Sequence, residues 1–257
     1  MPKRFEDTDE LAGAEFRNVR MPRIRIDGAD LSEASLRNVN LEGAVIKEAY
    51  LVGATIEGDL TGVRINGLDF GQMYTREMLR LYPERRRLRA STPEGFRDAL
   101  ALIDEMRAET VGRAERMSEE QRQQRTPDGE WSVVENLRHL LFSESSWALR
   151  TAFGESDPFH PLGQPPDFAV EGAKAVGIRV GAEASFEDTV GALERQHARV
   201  RSRFDRLTQD ELDAPCGDRG PGYPGAYGGT VAAALLVCLH HEWDHHKIIE
   251  RVIEEVT

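Results

Sequence analysis

Ala29-Asp30-Leu31-Ser32-Glu33 runs straight into Ala34-Ser35-Leu36-Arg37-Asn38. Each unit of five has a large apolar residue at its centre and a small one two positions earlier. Read outward in both directions, the pattern spans Ala14 to Ile56. The central slot holds Phe16, Met21, Ile26, Leu31, Leu36, Leu41, Ile46, Leu51 and Ile56. The earlier slot holds Ala14, Val19, Ile24, Ala29, Ala34, Val39, Ala44, Ala49 and Ala54. A period of five fits neither the 3.6 of a helix nor the 2 of a strand. Two size-restricted slots per step predict a stacked coil with a narrow interior.

These units resemble the pentapeptide-repeat family and its A-(D/N)-L-x-x motif. The resemblance implies a short right-handed, four-sided β-solenoid, here slightly more than two coils, over residues 1–72. Beyond Ile56 the register slips: Val63/Ile65 and Leu68/Phe70 keep the two-slot spacing but are shifted by one residue, which predicts a distorted last coil. Some members of that family mimic DNA. Residues 1–70 carry nine Lys/Arg against thirteen Asp/Glu, a net of −4, and are too short and too weakly charged for that role. A structural cap, or a module that docks a protein partner, is the expectation.

Downstream the period changes. Residues 73–91 are rich in arginine, are broken by Pro83, and read as a helical linker. Thr92-Pro93-Glu94 supplies an N-cap, a first-turn proline and an acidic first turn. Phe96, Leu100, Ile103, Met106, Thr110, Ala114 and Met117 then share one face, predicting a helix over roughly 93–117. Ser132-x-x-Glu135 is a capping box that opens a second helix reaching about Phe153. Ser185 caps a third, with Phe186, Val190, Leu193, His197, Val200, Phe204 and Leu207 along its seam; Thr230 opens a fourth. Four amphipathic helices joined by Pro- and Gly-rich loops predict a four-helix bundle over residues 92–257. The fold class is thus β + α in two domains.

Composition narrows the function. The net charge of −12 opposes a broad grip on nucleic acid, which needs basic surface to displace counterions. The longest apolar run, Val231 to Leu239, is far short of the roughly 20 residues of a membrane span. The segment Met1–Asp7 lacks an apolar leader core, so cytoplasmic location is expected. Cys216 and Cys238 stand apart and predict neither a disulfide framework nor a thiolate metal site. Homodimerisation through exposed apolar strips stays open.

The last helix carries Leu239-His240-His241-Glu242-Trp243-Asp244-His245-His246-Lys247. His241 and His245, four apart, place two imidazoles on one helix face, a spacing that suits one metal ion. The same face bears Cys238, Ala234, Ile248 and Val252, which predicts that it is buried; His240 and His246 read as surface residues pairing with Asp244 and Glu250. On the second helix Asn136, His139, Ser143 and Ser146 form a polar stripe, which inside a bundle calls for water, a ligand or a metal. His139 is central to it. The string His241-Glu242-x-x-His245 also matches the metalloprotease motif, in which the glutamate is the general base. A continuation of that motif would need Gly at 248 and His at 251, where the chain has Ile248 and Arg251, and Glu242 lies about 100° from His241 around the helix. Protease chemistry is therefore disfavoured.

Trp131-Ser132 followed by His139-Leu140, and His241-x-x-x-His245 on the fourth helix, resemble the DinB superfamily. That superfamily includes bacillithiol- and mycothiol-dependent S-transferases and the mycothiol-dependent maleylpyruvate isomerase. Ile65-Asn66-Gly67-Leu68-Asp69 and Phe159-His160-Pro161-Leu162-Gly163 further resemble an actinobacterial subgroup that joins pentapeptide repeats to this bundle. The resemblance implies His139, His241 and His245 as ligands of a divalent metal, zinc or nickel foremost. It also implies a low-molecular-weight thiol such as mycothiol or bacillithiol, and an electrophilic substrate. His197 reads as a fourth ligand, a group behind the ligands, or a satisfied core histidine, the last being the plainest. Asn136, Ser143, Ser146 and the loop residue His160 are further candidates for the pocket. Metal-activated hydrolysis and a non-catalytic, metal-stabilised interaction protein are the alternatives.

Overall fold

The computed structural model describes residues 11–17, 19–36, 39–56, 60, 62–127, 129–166, 169–217, 222–225 and 227–257. The segment Met1–Asp7, read above for a leader, Arg37 and Asn38 of the repeats, and part of the Pro215–Gly229 loop lie outside them. The chain divides into two compact units, Met1–Ala44 and Val45–Thr257.

The five-residue period is written in the backbone. A left-handed residue follows two positions after successive large apolar ones, at Gly13, Arg23, Gly28, Glu33, Gly43, Glu48 and Gly53. Turn hydrogen bonds recur every ten residues: Ala14 N to Leu11 O (3.0 Å), Ile24 N to Met21 O (3.2 Å), Ala34 N to Leu31 O (3.1 Å) and Ala44 N to Leu41 O (2.9 Å). In the second unit Ala54 N continues the series to Leu51 O (3.2 Å). A turn with positive φ at its third residue is what glycine adopts freely, as at Gly43 and Gly53. The central apolar side chains are 43 % (Leu11) to 68 % (Ile46) exposed, and turn hydrogen bonds mark every second step of the described repeats.

Where a distorted last coil was expected there is a two-residue hairpin. Strands β1 (Arg64–Ile65) and β2 (Leu68–Asp69) pair antiparallel across Asn66-Gly67. Asn66 and Gly67 both have positive φ (49° and 83°), the geometry for which Asn-Gly is the favoured pair in a tight hairpin. Asp69 then caps α1 (Phe70–Leu81), and a 3₁₀ segment, Pro83–Leu88, leads on.

The helical domain follows the caps. Thr92 opens α2 (Pro93–Ala114), and α3 (Glu119–Gln123) is a short turn. The Ser132/Glu135 capping box opens α4 (Val133–Ser143), which continues as a π-helical segment, Glu144–Ala152. After α5 (Val170–Ala175), Ser185 caps α6 (Phe186–Phe204). The short α7 (Gln209–Asp213) precedes α8 (Val231–Val256), capped by Thr230. Helix α8 packs on α2, on α4 and on the π segment, while α6 packs on α2 and α4. No described helix is long and apolar enough to cross a membrane.

Two large apolar clusters build most of the core, beside a small third of Phe142, Ala169, Ala173 and Ile178. One gathers Phe96, Ile103, Leu149, Phe204, Leu239 and Trp243; the other Leu137, Leu141, Leu193, Ile249 and Val252. Along every long helix the residues between these clusters are polar and buried: Arg107 and Thr110, Glu144 and Ser145, Gln196 and His197, Glu242 and His246. A charged layer therefore crosses the domain between two apolar ones.

Candidate metal centre

His139, His241 and His245 come together. One ring nitrogen from each lies within 4.8 Å of the other two. His139 Nε2 and His241 Nε2 are 2.8 Å apart. A tetrahedral zinc site with Zn–N of about 2.0–2.1 Å has nitrogens roughly 3.3 Å apart, so small ring movements would bring all three onto one ion. No other group of three or more metal-ligating side chains stands this close among the described residues.

The second ring nitrogens explain why these rings point inward. His139 Nδ1 donates to the Gln164 carbonyl (2.8 Å), which leaves its Nε2 as a lone pair facing His241. The loop carrying Gln164 is itself tied to α4, since Gln164 N donates to Arg138 O (2.9 Å) and Arg138 Nε to Leu162 O (2.8 Å). His245 Nδ1 lies 2.8 Å from Asn136 Oδ1. The Trp131 ring packs on His139 (centroids 4.9 Å apart) and stacks on His245 (6.4 Å), and Phe142 backs His139 (5.9 Å).

Burial keeps the imidazoles neutral. Desolvation pushes His139 down to about 4. His241 falls to about 3, through desolvation first and the neighbouring His139 second. His245 is also held well below the usual range by burial, then by His241 and His139. Neutral imidazole is the form a metal binds, so the donor set fits a divalent cation.

The other candidates divide. Asn136 is wholly buried and reaches the centre through His245. Ser146 is buried, but its Oγ donates to Phe142 O (2.8 Å), four residues back in its own helix. Ser143 Oγ is buried with no hydrogen-bond partner among the described residues. His160 Nδ1 accepts from Leu162 N (3.2 Å), a bond within its own loop. His197 is no fourth ligand in this arrangement. Its Nδ1 lies 2.5 Å from Glu144 Oε1 and its Nε2 2.6 Å from Asp104 Oδ1, so both nitrogens are engaged by carboxylates.

Two expectations are corrected on α8. His246 is no surface residue: it is fully buried, with Nδ1 2.9 Å from Thr110 Oγ1. Asp244 pairs with Arg85 (3.1 Å) and Glu250 with Lys247 (2.8 Å), while His240 is half-buried near Arg85. The reason is that α8 is covered on several sides, so more than one stripe of it is buried. Glu242 lies on one of these stripes and accepts from Arg107 Nη2 (2.9 Å).

That contact belongs to the charged layer, which sequence reasoning missed. Arg107 Nη2 also donates to Glu144 Oε1 (2.8 Å). Burial raises the Glu144 pKa, but Arg107 and then His197 outweigh it and bring the carboxyl down to about 2. Glu242 moves the other way, to about 7, because burial outweighs the attraction of Arg107. His197 is pushed down by burial and by Arg107, yet Glu144 and Asp104 overcome both and raise it above the usual imidazole range. A group whose folded value is raised contributes stability that is complete below its unfolded value, about 6.5, and is lost as pH rises through the folded value. His197→Gln is therefore expected to remove part of the decline in urea midpoint above about pH 6.5. An unchanged slope in the variant would refute the raised value.

A family model of the DinB superfamily matches residues 102–249, more than half of the chain. The chain belongs to the DinB superfamily. The matched DinB region begins within α2, ends inside α8 and contains all three clustered histidines. Pentapeptide repeats match in eight copies over residues 24–58, ahead of the DinB region. No curated protein and no solved structure matches the chain.

Proposed function

We propose that this chain is a divalent-metal-dependent enzyme in which His139, His241 and His245 hold one zinc or nickel ion. Its reaction is the transfer of a low-molecular-weight thiol such as mycothiol or bacillithiol to an electrophile, or an isomerisation that uses such a thiol. The observation that carries the reading is three neutral imidazoles converging from two helices, two of them with Nδ1 engaged away from the cluster. Three protein ligands leave coordination positions open, the mark of a catalytic rather than a purely structural site. A bound divalent ion supplies a Lewis acid that lowers the pKa of a thiol or water beside it.

The chain's own residues do the rest. Gln164 O and Asn136 aim the rings. Trp131 and Phe142 cover His139 with apolar surface that keeps water from that side of the centre. The thiol rests on membership of the superfamily, whereas the metal rests also on these residues. We further assign the pentad segment to a right-handed β-solenoid in a domain of residues 1–72, with a protein-docking role, ahead of a linker at 73–91 and a four-helix bundle at 92–257.

The test is elemental analysis of the purified chain, followed by thermal melts of the zinc- or nickel-loaded protein with mycothiol and with bacillithiol. One metal per chain and a thiol-dependent rise in Tm are expected. Absence of stoichiometric metal after loading would overturn the whole reading. Metal without any thiol effect would overturn the transferase or isomerase assignment and favour hydrolysis or a metal-stabilised interaction protein.

A further inference from the structure

Asn136 stands in the first turn of α4, on the inward face that carries His139, and is wholly buried. Its Nδ2 donates to Trp131 O (2.9 Å) and to Ser132 O (3.0 Å). Both partners are carbonyls, which only accept, so the amide has one satisfied orientation: NH₂ toward the start of the helix, Oδ1 toward His245. Oδ1 also only accepts. His245 Nδ1, 2.8 Å away, must therefore carry the ring's proton. A neutral imidazole has one such proton, and with it on Nδ1 the lone pair is on Nε2.

We infer that Asn136 is a positioning residue that fixes the tautomer of His245 and so readies its Nε2 for a divalent cation. The inference rests on the proposed metal reading and deepens it. The three rings are held differently. His139 is fixed by a backbone carbonyl, which no side-chain substitution removes. No hydrogen bond reaches His241 Nδ1 among the described residues, and that ring is held by its neighbours. Asn136 is thus the side chain through which ligand basicity and orientation can be altered without touching a ligand. Partners of this kind typically change metal affinity by about 10- to 100-fold when removed.

Asn136 could instead act only as a brace for the start of α4, through its two Nδ2 bonds. Two variants separate the roles. Asn136→Asp keeps the acceptor toward His245 and loses both donors; Asn136→Leu loses all three bonds. A brace predicts equal effects, whereas a positioning residue predicts that Asp stays close to wild type and Leu does not. The experiment uses the full chain with ¹⁵N-labelled histidine, freed of metal, near neutral pH. Long-range ¹H–¹⁵N correlation spectra are expected to show His245 protonated at Nδ1 in the wild type and in Asn136→Asp. In Asn136→Leu the proton moves to Nε2 or exchanges between the two. Zinc titration of the same samples is expected to show roughly 10- to 100-fold weaker binding for Asn136→Leu alone.

A wild-type His245 protonated at Nε2 overturns the inference, as do Leu and Asp variants that behave alike. If Asn136→Leu does not fold, the wild-type spectrum and the Asp variant still decide. The failures are distinguishable: zinc binding that survives His139→Ala sinks the metal reading. Zinc lost in His139→Ala but unaffected in Asn136→Leu sinks only the role of Asn136.

Discussion

Arg107→Met is expected to cost about 3–5 kcal/mol of unfolding free energy, the loss typical when one partner of a buried charge pair is removed. Arg107 is 8 % exposed and its Nη2 holds two carboxylates at once, Glu144 at 2.8 Å and Glu242 at 2.9 Å. Methionine fills much of the volume but leaves both oxygens buried without their cation. The price is not the net worth of the contact, because taking three charges out of water already cost much of their mutual attraction. The double variant Arg107→Met/Glu242→Gln separates these contributions. It removes the more weakly held carboxylate, the one lifted to about 7, and leaves Glu144 paired with His197. Recovery of a large part of the loss is expected in the double variant. Urea unfolding measures both, and an Arg107→Met midpoint near wild type would refute the account.

The layer explains what the sequence could and could not disclose. Caps were legible because they are local: Thr92, Ser132, Ser185 and Thr230 each accept from a backbone N–H three residues on, and each opens the helix its pattern announced. The histidine pair was legible for the same reason, since a spacing of four on a helix sets two rings side by side. Arg107 stood between the seam residues Ile103 and Thr110, and Glu144 just past Leu140 and Leu141. A charge on a seam was a visible signal. Its partners were not, because Arg107 and Glu242 are 135 residues apart and no spacing rule connects two helices.

The misreading of His246 has the same origin. A hydrophobic stripe identifies one buried face, but α8 lies against α2, α4 and the π segment. The π segment was illegible too. Ser145 and Ser146 donate to the carbonyls four residues back, Leu141 O (2.9 Å) and Phe142 O (2.8 Å), at the point where the helix widens. Such back-bonding competes with the backbone ladder, and the widening begins at Glu144, the residue that must reach both Arg107 and His197.

His139→Ala is expected to abolish stoichiometric zinc binding and, with it, the stabilisation that zinc confers. The reasoning separates two losses. His139 is 6 % exposed and packs on Trp131 and Phe142, so its removal costs packing energy, about 1–3 kcal/mol, with or without metal. The second loss appears only when zinc is present. A ligand that binds the folded state alone stabilises it by about 2.7 kcal/mol at a concentration 100 times its Kd. The wild type is expected to gain about that much from zinc at 100 times Kd, and His139→Ala close to nothing. Unfolding both proteins with zinc and with a chelator isolates this difference from the packing term, since packing is lost equally in both conditions. An equal zinc-dependent gain in the two proteins would mean that the ion binds elsewhere. His139 is the decisive position because it alone among the three comes from α4, so its loss leaves only two imidazoles, both on α8. A pair at that spacing on one helix can still touch an ion, but cannot join two helices across it. Only an ion that joins two helices adds its binding energy to the packing of the domain.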